Sequence, residues 1–204
     1  MYLLLIPEEF AIKYSSEDLE DSDKIRLKNH PILEKRTSWR TSRYGKNIIK
    51  KHFLDLQFCL SHKLSDSLFA LDKNKPGVDL EFTSQRDFLA LSERVFTKLE
   101  MQEFAKNNHS EEYFYRLWTL KESLIKQYDL SFPEDLAKIG LNSLYKIIWI
   151  SGKINGKFIF SATFDANCQN EIIFYFLKQL TITDLEIKGG ENIIFRTELL
   201  KIYK

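Results

Sequence analysis

Cysteine is nearly absent. Cys59 and Cys168 are the only two, and they fall in no Cys-x-x-Cys or Cys/His spacing. This excludes a disulfide framework and a thiolate metal site, and points to a reducing compartment, the cytoplasm. Glycine and proline are scarce, at 7 and 4 of 204 residues, and no short-period repeat or low-complexity tract occurs, which excludes solenoid and disordered classes. A large charge of one sign is missing too. The formal net charge of +1 provides no global field for nucleic acid or a membrane surface, so neither is expected as a partner. No apolar run approaches the roughly 20 residues of a bilayer-spanning helix. The opening MYLLLIPEEF lacks a basic leader and soon meets Pro7 and two glutamates, so it reads as a first strand, not a signal peptide. His30, His52 and His109 share no zinc-ligand spacing. There is no Walker glycine loop or Gly-x-Gly-x-x-Gly, so a bound nucleotide must be held by side chains and a metal.

What is present is apolar: 44% of residues are hydrophobic, enough for one sizeable core or two small halves sharing one. Strands are expected at Tyr2 to Ile6, Leu56 to Leu60 and Ser67 to Leu71. Helices are expected over Ser15 to Lys28 and from Leu33 towards Lys51, the second weakened by Gly45. The loop Asp72 to Gly77, DKNKPG, is the clearest break and places a boundary between residues 1–75 and 76–204. Beyond it the pattern predicts a strand at Val78 to Phe82, helices at Arg86 to Asn107 and Glu111 to Tyr128, and strands at Tyr145 to Ile150, Lys157 to Phe164 and Ile172 to Leu177. The tail from Thr181 has no clear assignment. Each half thus has a strand, helices and further strands, which gives an α+β class with a possible internal duplication.

Three stretches carry candidate chemistry. In GVDLEF, Val78, Leu80 and Phe82 alternate with Asp79 and Glu81, so both carboxylates leave one face of the strand. Alone, that is ordinarily a half-exposed strand with solvated acids. In FYRLWTLKESLIKQ, Trp118, Glu122 and Lys126 share a helical row beside the apolar stripe of Phe114, Leu117, Leu124 and Ile125. The ordinary reading is an i, i+4 ion pair worth about 0.2 to 0.5 kcal/mol, but a tryptophan on that row implies half-burial. Together, Asp79, Glu81 and Glu122 make three hard oxygen ligands suited to Mg²⁺, and Lys121 beside the third could face the phosphates of a substrate. In LSHK, Ser61 and His62 end a strand and could donate to a phosphate. They are not a catalytic dyad, because neighbours on a strand point to opposite faces. From Lys35 to Leu54 there are seven Lys or Arg and no acid, with Arg36, Arg40 and Arg43 at i, i+4 and i+7.

LSHK, GVDLE and WTLKESLIK, in this order and spacing, resemble the surfactin-type 4′-phosphopantetheinyl transferases, over roughly Arg40 to Pro133. The resemblance implies two pseudo-symmetric α/β halves, each of a strand, helices and antiparallel strands, with the active site in the cleft between them. It implies transfer of 4′-phosphopantetheine from coenzyme A to a serine of an apo acyl or peptidyl carrier protein, by a monomer. It further implies Asp79, Glu81 and Glu122 as Mg²⁺ ligands, Lys126 at the phosphates, and His62 with Ser61 at the 3′-phosphate of coenzyme A. Glu100 in FTKLEM falls where the family's proposed general base lies, with Glu103 and Glu93 nearby.

Two departures stand out. Cys59 and Lys63 flank Ser-His where relatives often have polar and small hydroxyl residues. KRTSWRTSRYGK resembles the family's coenzyme A helix, nominating Arg40 and Arg43, while its YGK resembles a separate loop that would nominate Lys46. The helix is preferred. The alternative reading is a catalytically inactive scaffold that binds coenzyme A or a carrier protein, against which the retention of all three carboxylates and Lys126 argues. A nucleic-acid contact along Lys35 to Lys51 would require steep salt dependence.

Overall fold

The computed structural model describes residues 1–142, 147–166, 171–189 and 193–200. Cys168 and the first two residues of the strand expected at Tyr145 lie outside the described residues.

The fold is mixed α and β, as expected, and its elements stack in four layers. The first sheet contains β1 (Tyr2–Ile6), β2 (Gln57–Lys63), β3 (Asp66–Asp72), β7 (Glu171–Phe176) and β9 (Ile194–Leu199), in the order β2-β3-β1-β7-β9. The second contains β4 (Gly77–Phe82), β5 (Ile147–Ile154), β6 (Phe158–Asp165) and β8 (Ile182–Lys188), in the order β4-β6-β5-β8. The alternation of side chains along each strand decides the layering. On β1, Leu3 and Leu5 face the second sheet and pack with Val78, Leu80, Ile150, Phe160 and Ala162. Leu4 and Ile6 face the other way, against Ile48 and Ile49 of α2 (Thr37–His52). On the far side of the second sheet, α5 (Glu111–Tyr128) lays Leu120 and Leu124 on Ile147 and Trp149. Fully burying a leucine or phenylalanine of this kind contributes about 1.5 to 3 kcal/mol, and these layers are built almost entirely from such residues.

Several local expectations change. The helix expected over Arg86 to Asn107 is two, α3 (Phe88–Val95) and α4 (Lys98–Lys106). Phe96 is extended, and Thr97 starts α4 with a capping box in which Glu100 is the reciprocal partner. The Ser15 to Lys28 region yields a 3-10 turn and a short α1 (Asp21–Asn29). The second helix begins only at Thr37, after a 3-10 turn over Pro31–Lys35, and runs through Gly45 unbroken. The unassigned tail supplies β8 and β9. Strands from beyond residue 75 also enter the first sheet: β7 pairs parallel with β1, and β9 parallel with β7. Hydrogen bonding along the exposed side of β1 is satisfied that way, so the two layers are not the two sequence segments.

Two edge strands, β2 of the first sheet and β4 of the second, lie against each other, and α5 lies over β4. Gly77 permits that approach, because a Cβ there would sit 2.0 Å from the Ser123 carbonyl oxygen of α5.

Candidate functional site

Where β2, β4 and α5 meet, oxygens of Asp79, Glu81 and Glu122 come within 4.8 Å of one another. The strand sends Val78 and Leu80 into the core and both acids towards α5, as the alternation predicted. The helix contributes the row Trp118, Glu122 and Lys126, all three half-buried. Lys126 Nζ lies 2.7 Å from Asp79 Oδ1, 3.1 Å from the Val78 carbonyl oxygen, 3.2 Å from Ser61 Oγ and 3.9 Å from Glu122. Ser61 donates to the same Asp79 oxygen at 2.9 Å and accepts from the Leu80 N–H. Asp79 Oδ2, buried, has no hydrogen-bond partner among the described residues.

This arrangement fits a hard divalent cation. A buried carboxylate oxygen without a donor carries a desolvation cost that a cation removes. Three carboxylate oxygens within 4.8 Å of one another, with one buried oxygen of Asp79 lacking a donor, can converge on a single small cation. The electrostatics agree. Burial and then the charge of Asp79 push the Glu122 carboxyl up to about 7. Burial alone would lower the Lys126 ammonium, but Asp79 and Glu122 outweigh it and lift it above its ordinary value.

Ser61 and His62 part company at this edge. Ser61 faces the carboxylates, while His62 faces the opposite side, into a basic pocket of about 280 Å³. The expectation that both contact one phosphate is thereby corrected: successive strand residues point to opposite faces. The pocket is lined on α2 by Trp39, Ser42, Arg43 and Lys46, the stripe an α-helix presents at 3.6 residues per turn, and also by Arg26 of α1 and Arg36. Arg43 and Lys46, alternatives in the sequence, stand there together. Asp23 of α1 holds both, at 2.9 and 2.8 Å. The Arg43 guanidinium lies over the Trp39 ring at 3.7 Å, with Arg26 at 5.6 Å from the same ring. Arg40 is not in this lining. One residue off the stripe, it turns to the preceding 3-10 segment and donates from Nε to the Glu34 carbonyl at 2.7 Å. The His62 imidazolium is held below the ordinary histidine range by desolvation of the ring and then by Lys126, Arg43, Arg26 and Lys63.

Glu100 and Lys121 are not brought to the carboxylate cluster. Both are fully buried and pair with each other at 2.6 Å on the α4 side of α5. Glu100 also accepts from the Thr97 and Leu141 N–H groups, and Lys121 donates to the Ile139 carbonyl. Gly140 closes the lid: a Cβ there would meet Glu100 Oε1 at 1.7 Å. A general base must reach its proton, and a glutamate walled in by three donors cannot, so in this structure Glu100 ties a loop and α4 to α5. Lys121 likewise cannot face a phosphate from there. Of the two alternatives, Glu93 is exposed on α3 and Glu103 pairs with Lys106.

Arg26 and Asp23 had no signal in the sequence beyond ordinary helix charge, because only the docking of α1 brings them to Trp39 and Arg43. The role of Glu100 did have one, since Thr-Lys-Leu-Glu is the capping-box pattern.

Residues 75–164 match the model of the 4′-phosphopantetheinyl transferase superfamily. The chain is 35% identical over 106 residues to the 4′-phosphopantetheinyl transferase Sfp of Bacillus subtilis (strain 168), covering 50% of this chain and 46% of that protein. It is 27% identical over 176 residues to the 4′-phosphopantetheinyl transferase gsp of Aneurinibacillus migulanus, covering 83% and 70%. A putative 4′-phosphopantetheinyl transferase of Haemophilus influenzae is 34% identical over 84 residues, covering 38% and 36%. The first of these alignments thus spans about half the length of the curated relative it matches.

Proposed function

We propose, from the premise that the chain belongs to the 4′-phosphopantetheinyl transferase superfamily through residues 75–164, that it moves 4′-phosphopantetheine from coenzyme A to a carrier-protein serine. In that reaction the serine Oγ bonds to the β-phosphorus of coenzyme A, the bond from that phosphorus to the bridging oxygen breaks, and 3′,5′-ADP leaves. The serine proton passes to the carboxylate cluster, directly or through water. The observation that carries the proposal is the convergence of Asp79, Glu81 and Glu122 beside Lys126.

Asp79, Glu81 and Glu122 would hold Mg²⁺, which when bound compensates charge on the diphosphate oxygens. Lys126, kept cationic by Asp79 and Glu122, contacts those oxygens and can return a proton to the leaving group. Ser61 orients Asp79 by its 2.9 Å hydrogen bond. Arg43, Lys46 and His62, with Arg26 and Arg36, receive the 3′-phosphate in the basic pocket, where guanidinium groups suit bidentate contact. Residues 1–75 in this reading furnish the nucleotide side and residues 76–204 the transfer side. The partner is an apo acyl or peptidyl carrier protein. We place the enzyme in the cytoplasm and as a monomer, with one cleft per chain. No helix among the described residues is long and apolar enough to cross a membrane.

Intact mass spectrometry tests the proposal. Incubation with Mg²⁺, coenzyme A and an apo carrier domain is expected to add one phosphopantetheine to the carrier serine. No mass shift on fatty-acid, polyketide and peptide carriers, with either Mg²⁺ or Mn²⁺, would overturn it and leave a binding scaffold.

A further inference from the structure

Ser61 and Lys63 are two residues apart on β2 and so leave the same face of the strand. Each meets an acid of β4. Ser61 Oγ is 2.9 Å from Asp79, and Lys63 Nζ is 2.5 Å from Glu81 Oε2. With Lys126 on Asp79, two ammonium groups cover two of the three carboxylates that would receive the cation. The two lysines are held differently. Lys126 is fixed by Asp79, Ser61 and the Val78 carbonyl together. Lys63, at the end of its strand, is held by its ion pair with Glu81.

We propose that Lys63 is a tethered cation that competes with the divalent ion for Glu81, coupling ion entry to the arrival of a diphosphate. The inference rests on the metal-site part of the proposed function and adds a residue to it. An ion that takes a Glu81 oxygen must displace the ammonium, and the displaced charge then stands near a dication of the same sign. Without an anion nearby that repulsion weakens ion binding. A diphosphate bound at the ion gives the displaced ammonium a new partner, so each ligand strengthens the other by the same factor. Lys63 thereby acts as a determinant of ion affinity and of order of binding. It touches Glu81 first and the phosphate only after the exchange.

The experiment measures Mn²⁺ and Mg²⁺ affinity, by electron paramagnetic resonance and calorimetry, with and without coenzyme A, whose diphosphate is intact when no carrier protein is present. Wild type is compared with Lys63→Gln, Lys63→Met, which keeps the apolar stem, and Lys63→Arg, which keeps the charge; thermal melts verify folding. Removing the charge is expected to tighten ion binding about fivefold or more in the absence of nucleotide. It should also shrink the gain in ion affinity that coenzyme A produces, while Lys63→Arg behaves as wild type. Ion binding by wild type that is unchanged or weakened in both uncharged variants overturns the inference and leaves the metal site standing. Failure of wild type and all variants to bind either ion overturns the metal site and the inference together.

Discussion

Replacing Glu122 by glutamine should stabilise the ion-free protein while abolishing its response to Mg²⁺. The reason lies in the cluster's electrostatics. Burial and Asp79 push the Glu122 carboxyl from 4.5 up to about 7. A carboxyl whose folded-state value is raised favours the fold below its unfolded value and loses that contribution as pH rises through the folded value. Above about pH 7 the ionised group therefore costs the ion-free fold roughly 3 kcal/mol, at 1.36 kcal/mol per pH unit. Glutamine keeps the shape without the charge. Because the side chain is 20% exposed and also 3.9 Å from Lys126, recovery of about 1 to 3 kcal/mol is expected. For a chain of this size that is a rise in Tm of roughly 2 to 10 °C. The assay is a thermal melt at about pH 8, once with chelator and once with Mg²⁺ well above its Kd, where wild type should gain about 2.7 kcal/mol at a hundredfold excess. With chelator the variant melts higher; with Mg²⁺ only wild type shifts, and the advantage fades towards about pH 5. A variant that melts lower with chelator at about pH 8, yet keeps a full Mg²⁺ shift, would refute the assignment of Glu122 to a cation site.

Glu100→Gln should cost about 3 to 5 kcal/mol in denaturant unfolding by leaving the Lys121 ammonium buried without its counter-charge; unchanged stability with lost turnover would return Glu100 to the role of base. Arg26→Ala and His62→Ala should each weaken coenzyme A severalfold while leaving 3′-dephospho-coenzyme A nearly unaffected, as titration calorimetry would show. Because His62 is held below the ordinary histidine range and a phosphate favours its charged form, coenzyme A binding should take up protons near neutrality and weaken as pH rises. His62→Ala should flatten that dependence, and an unaltered pH profile would remove His62 from the pocket.

The acidic cluster was legible in the sequence because it depends on local periods. Asp79 and Glu81 share a strand face, Glu122 and Lys126 share a helix row, and Trp118 indicated the half-burial found there. The family's spacing supplied the step that local periods could not, namely that the two rows meet. The basic pocket was legible only in part. Arg43 and His62 were expected, but Arg26 and Asp23 come from α1, whose docking on α2 is a long-range event with no local mark. Arg40 lies one residue off the stripe that lines the pocket, although Arg36 and Arg43 of the same expected row both reach it. The strand order was hidden for a related reason. A parallel pairing of β1 with β7 joins residues about 170 apart, and no turn chemistry announces it. The tail strands β8 and β9 are largely exposed, so their hydrophobic signal is weak.

The near-zero net charge hides a separation made by one strand. On β2, Ser61 and Lys63 face three carboxylates, while Leu60 and His62 line a pocket with three arginines and a lysine. Two regions of opposite sign are thus kept apart by the thickness of a single backbone. Their opposition is also the reason that neither collapses: Asp23 partly neutralises the basic side, and Lys63 and Lys126 the acidic side. Register is consequently critical here, since a slip of one residue against β3 would exchange Ser61 for His62 and remove the hydroxyl donor to Asp79. The full seven-pair ladder from Gln57↔Asp72 to Lys63↔Asp66 fixes that register, and the hydrogen bond from the Leu80 N–H to Ser61 locks it to the second sheet. A ligand carrying a diphosphate for the ion and a separate phosphate for the arginines would have to reach both sides of this strand.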